Sequence, residues 1–138
     1  MANGTIAFDT LQTSGQITGT AKSLDTDYVV NGSAKQWVNI TGTSTVTVND
    51  SLNTTSVTDT SLGRHTPNLT NAMSNANYVY NFTVQRAATN DVLFVTHRYD
   101  SNPTTTAYTP RTFHTDNDEA PSGEDPDILC CSIHGDLA

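Results

Sequence analysis

The chain is 138 residues long, enough for one domain around one core. It is 35% hydrophobic and 14% charged; 25 Thr, 13 Asn and 11 Ser make up over a third of it, against two Glu and two Lys, which leaves too few helix formers for a bundle or coiled coil. Its net charge is −8, with Lys22, Lys35, Arg64, Arg86, Arg98 and Arg111 scattered singly, and no apolar run is long enough for a membrane helix, so neither nucleic acid nor a lipid bilayer is an expected partner.

The opening, Met1-Ala2-Asn3-Gly4-Thr5, has neither the basic start nor the apolar stretch of a signal peptide. From Thr5 to Leu11 apolar and polar residues alternate, with Ile6 and Phe8 on one side, as in a strand. Residues 13–26 read as a tether. Tyr28-Val29-Val30 followed by Asn31-Gly32 predicts a strand running into a tight turn. The next strand puts Ala34, Gln36, Val38 and Ile40 on one face and turns Trp37 to the other, unless a bulge shifts the register. Residues 43–50 alternate cleanly, with Val46 and Val48 inward. Residues 51–76 predict short strands and turns, and 73–77 a loop or a single helical turn.

The strongest strand signal is Tyr78 to Val84, with Tyr78, Tyr80, Phe82 and Val84 on one face and Asn81, Thr83 and Gln85 on the other. Val92-Leu93-Phe94-Val95 reads as a strand buried on both sides, paired with its predecessor as a central hairpin. Residues 107–115 predict a strand that Pro110 pushes toward an edge. An acidic loop covers 116–127, and 128–133 predicts the last strand. The sum is an all-β chain, an antiparallel β-sandwich of jelly-roll type with about seven to nine strands.

Cys130 and Cys131 are adjacent, so in a strand they point to opposite faces and do not bond each other. With no further cysteine there is no disulfide framework, which fits a reducing compartment.

Signals for catalysis are weak. The aspartates sit mostly where loops close, no Gly-x-Ser-x-Gly elbow exposes a serine, and His97, His114 and His134 lack metal-ligand spacing. No catalytic, cofactor or metal residue is assigned. The acidic loop has oxygen donors that suit calcium but no recognised loop pattern, and reads as solvated. Seven Asn-x-Ser/Thr sequons, from Asn3 to Asn81, are what this composition produces by chance. The aromatic residues, Trp37 among them, read at strand spacing as core or interface rather than as a sugar platform. Tyr99, Tyr108 and His114, near the predicted loops, are the candidates for contact with a partner or receptor.

Several strings carry a resemblance. They are the opening Gly4-Thr5-Ile6-Ala7-Phe8-Asp9-Thr10-Leu11 running on to Ile17, the blocks 25–37, 50–59 and 69–78, and the ending Ser132-Ile133-His134-Gly135-Asp136-Leu137-Ala138. Over 4–85 and 127–138 the chain resembles fibre-type virion proteins of marine tailed bacteriophages; residues 86–126 do not share the likeness. The resemblance implies a non-enzymatic structural protein without cofactors, assembled in the host cytoplasm and carried on the virion as a homotrimer. It further implies that residues 1–20 anchor or swap onto a neighbour through Ile6, Phe8 and Leu11, and that 21–138 form the sandwich. Expected partners are copies of itself and other virion proteins; the alternative is a host-receptor or glycan-binding tip module of a tail fibre, which would meet a host surface glycan through loops of 86–126. The chain is shorter than such fibres, which points to a tip, a short tail, neck or head fibre, or a capsid decoration protein.

Overall fold

The computed structural model describes residues 26–86, 92–97, 100–115 and 122–138. Ile6, Phe8, Leu11 and Tyr99, and with them the expected anchoring segment 1–20, lie outside those residues.

Where a strand and turn were expected, the chain forms a short helix, α1 (Thr26–Gly32). Its end explains why. Ser33 N–H donates to Val29 O at 3.2 Å and Ser33 Oγ to Val30 O at 3.0 Å, and Lys35 Nζ donates to the same Val30 carbonyl. Carbonyls that a helix terminus leaves open are thereby satisfied. Asn31-Gly32 closes a helix instead of turning a hairpin.

Strand β1 (Gln36–Thr41) buries Gln36, Val38 and Ile40 and leaves Trp37 and Asn39 on the other face, as the alternation predicts. It pairs antiparallel with β2 (Thr47–Leu52), with a register shift at Asn39/Ile40. That shift and the edge position undo the expected clean alternation: Val46 packs against the core, while Val48 is exposed. The segment 51–76 holds a long hairpin, β3 (Thr54–Ser61) and β4 (Arg64–Leu69), turned by Leu62-Gly63. Gly63 has φ 71, and a Cβ there would lie 2.2 Å from Thr112 O, so both backbone conformation and space demand glycine.

The remaining strands are β5 (Val79–Gln85), β6 (Val92–His97), β7 (Pro110–Thr115), the two-residue β8 (Ser122–Gly123) and β9 (Ile128–His134). They complete a two-layer antiparallel sandwich. One sheet has the order β2-β1-β9-β5; the other has β3-β4-β7-β6, with β8 also on β7. The expected central hairpin of β5 and β6 does not form. The two strands belong to different sheets, each at an edge, and face one another across the layers where the Tyr80 and His97 rings stack at 5.1 Å. Accordingly β6 is not buried on both sides: Val92 and Phe94 are exposed.

Pro110 does not drive β7 to an edge either. It is the strand's first residue, where a missing N–H is tolerated. It does mark a weak seam. β4 and β7 meet at Arg64↔Arg111, and β4 meets the segment leading into β7 in an isolated bridge at Asn68↔Ala107. Between those points Pro67 and Pro110 have no N–H to give, and the link is a hydrogen bond between the Thr66 and Thr109 hydroxyls at 2.9 Å.

The core is Val38 and Ile40 from β1 and Leu129, Cys131 and Ile133 from β9, packed with Leu69, Met73, Tyr78 and Tyr108. Each such large apolar side chain contributes about 1.5–3 kcal/mol on burial. Tyr80 and Phe82, on the inward face of β5 as predicted, extend an aromatic cluster to Tyr108. At the corner where the chain passes from β2 to β3, Asn53 adopts φ 53. Its side chain accepts the Asn71 N–H at 2.7 Å and donates to Asn71 O and Lys35 O. Asparagine tolerates this left-handed backbone better than other side chains.

Candidate functional site: the open face of the four-stranded sheet

The outward face of the four-stranded sheet carries a trough. Its geometry follows from strand order and register. Trp37 stands opposite Ser132, which stands opposite Asn81; one step along, Asn39, Cys130 and Thr83 form a second row. The middle column, from β9, has the small side chains Cys130 and Ser132. The flanking columns are taller, so a trough of about 350 Å³ runs between Trp37 and Asn39 on one side and Asn81 and Thr83 on the other.

No lining residue is charged. Asn39 is held in place: Asn49 Nδ2 donates to its Oδ1 at 2.8 Å, and its own Nδ2 donates to Cys130 Sγ at 3.3 Å. Asn81, Thr83, Ser132 and the Trp37 indole N–H make no side-chain hydrogen bond among the described residues, so the trough pairs an aromatic wall with unengaged polar groups. Cys130 is half-buried here, and Cys131 points into the core, as adjacency in a strand requires. Burial pushes the Cys131 thiol up to about 12. The trough offers contact area and hydrogen bonds, and the side-chain partner of Cys130 is an amide rather than a base.

The expected contact residues lie elsewhere. Tyr108 is a correction: it is 1% exposed and donates its hydroxyl to Gln36 Oε1 at 2.7 Å. A ring at the centre of the sandwich cannot meet a receptor. His114, on β7, is half-buried, with Nδ1 2.5 Å from Glu124 Oε2; Arg86 Nη2 lies 2.5 Å from Glu124 Oε1. It therefore belongs to an ionic knot. Asp125, next along, accepts the Gly63 N–H at 2.7 Å and lies 3.8 Å from Nε2 of His65, whose ring is fully buried. Glu124 and Asp125 are thus engaged in holding the fold, and residues 116–121 of the acidic loop lie outside the described residues. Among the described residues no three His, Cys, Asp or Glu side chains converge as metal ligands, and no helix is long and apolar enough to cross a membrane.

Trp37 is the site residue whose role sequence reasoning did not single out. Its outward orientation was legible; its neighbours were not, because Cys130 and Asn81 reach it only through the order β1-β9-β5. Compared with protein-family models, curated proteins and solved structures, the chain matches none.

Proposed function

We propose that this protein is a non-enzymatic structural component of a tailed-bacteriophage virion: a short tail, neck or head fibre, or a capsid decoration protein. The observation that carries the reading is the open sheet face, where Trp37 and Cys130 line an uncharged trough on a chain of net charge −8. An uncharged face with an aromatic wall suits contact with another macromolecule. The likeness of residues 4–85 and 127–138 to fibre-type virion proteins supplies the setting. Self-association and contact with other virion proteins belong to this reading, as do assembly in the host cytoplasm and the absence of nucleic acid and membrane partners. The trimer comes from the resemblance alone.

An antibody raised against the purified chain should label tailed phage particles in immunogold electron microscopy, and quantitative mass spectrometry should count its copies. Several hundred copies per particle place it on the capsid; a few tens place it on the tail or neck. Particles that lack the chain overturn the proposal, as does turnover of a surface polysaccharide by the purified protein.

A second reading is favoured by the unengaged groups beside Trp37. A sugar ring stacked on the indole would find the Asn81 amide and the Thr83 and Ser132 hydroxyls within the same trough, as a host-glycan contact requires. Binding on a glycan array that Trp37→Ala abolishes supports it; an array without signal removes it.

A further inference from the structure

The two sides of the sandwich treat their strand edges differently. On one side lie β2 and β3. Their ladders contain register shifts, at Asn39/Ile40 in the first and at Thr54/Ser56 and Asp59/Ser61 in the second, and the strands carry Asp50 and Asp59. Bulges and charges are the devices by which proteins keep edges from pairing with other chains. On the other side lie β5 and β6, and there the devices are missing. Val79–Gln85 and Val92–His97 contain no proline and no Asp, Glu, Lys or Arg. Their ladders to β9 and β7 run through seven and six consecutive pairs without a shift. Val79, Val92 and Phe94 are exposed at 62%, 57% and 43%. Among the described residues each of these strands has a sheet neighbour on one side only.

We infer that the β5/β6 side is a self-association surface, on which a second copy of this chain pairs β5 with β5 and β6 with β6, antiparallel, about a two-fold axis. Three observations select a second copy. The chain bears a net charge of −8, so copies repel over most of their surfaces and approach with least cost where no acid stands. The two edges lie one above the other across the layers, and another copy presents two edges at the same spacing, so both sheets continue at once. Two-fold pairing also keeps the faces matched. With Phe82 opposite its copy, Asn81 meets Thr83 outside and Tyr80 meets Val84 inside, in keeping with the alternation of β5. The contact does not depend on where the protein resides. A trimer formed through another surface would be joined by it into a six-chain assembly.

The test is sedimentation of the full chain over a wide concentration range, with variants on both sides. The wild type should associate reversibly into an even-numbered assembly. Gln85→Lys with Val92→Lys and Thr96→Lys puts like charges along both edges and should weaken association by about tenfold or more. Thr58→Lys on the exposed face of β3 should leave it intact. Hydrogen exchange gives a readout that needs no variant: edge amides of β5 and β6 should gain protection as concentration rises. A wild type that stays monomeric or forms an odd-numbered assembly overturns the inference. So does association that ignores the β5/β6 charges, or that is lost in Thr58→Lys.

Discussion

Tyr108 and Gln36 hold the two sheets together from inside: the phenol donates to the glutamine Oε1 at 2.7 Å, and neither side chain reaches solvent. Gln36 passes the connection outward, its Nε2 donating to Thr54 Oγ1 at 2.9 Å. Tyr108→Phe leaves the Gln36 oxygen buried without its partner and should cost about 1–3 kcal/mol. Adding Gln36→Leu removes the stranded oxygen and should recover part of that loss. Urea unfolding followed by the fluorescence of Trp37, the chain's single tryptophan, measures both. A Tyr108→Phe variant as stable as wild type would show that the bond is dispensable.

Gly63 and Gly32 give opposite expectations. Gly63→Ala forces a side chain onto φ 71 and into Thr112 O, and the backbone conformation alone costs about 1–3 kcal/mol. Gly32→Ala meets nothing within 4 Å and should change the melting temperature little. Equal melting temperatures for the two variants would contradict this assignment of the hairpin turn.

Stability should fall in alkali. Burial pushes the Cys131 thiol from its ordinary 9.0 up to about 12, and burial also raises Tyr108 and Tyr78 above the usual phenol value. The unfolded chain releases these protons first. The native state's advantage is therefore full below pH 9 and lost as pH rises toward 12, by about 1.4 kcal/mol per pH unit for one proton. Chemical denaturation at a series of pH values should show the decline, and Cys131→Ala, less stable at neutral pH, should show a shallower slope between pH 9 and 10. An unchanged slope in that variant would assign the decline to the tyrosines.

His65 is fully buried, and its ring nitrogens have no hydrogen-bond partner among the described residues. His65→Leu removes polar atoms that lack a hydrogen bond, keeps most of the volume and gives up only the 3.8 Å approach to Asp125, so the melting temperature should hold or rise. A fall of the size that core truncations cause, about 2 kcal/mol or more, would show that the imidazole makes a bond that matters.

What the sequence disclosed was what alternation alone decides. The inward faces of β1 and β5, the outward turn of Trp37 and the opposed cysteines follow from a period of two. What it concealed depends on partners distant in the chain. Apolar density in Val92–Val95 suggested double burial, because composition does not reveal that β6 ends a sheet. Pro110 argued for an edge strand, yet β7 is interior, because Pro110 and Pro67 cluster where the ladder between β4 and β7 is interrupted. Tyr108 lies next to a loop in sequence and at the centre of the core in space. The trough was invisible for the same reason: its two rows draw on residues some ninety positions apart, such as Asn39 and Cys130.

The proline-interrupted seam has a mechanical consequence. Force applied between β3 and β6 would be borne by the Arg64–Arg111 and Asn68–Ala107 junctions and one hydroxyl bridge, so that layer should tear there first. The companion layer, laced on both sides of β9 by unbroken ladders, would still hold its shape after the tear.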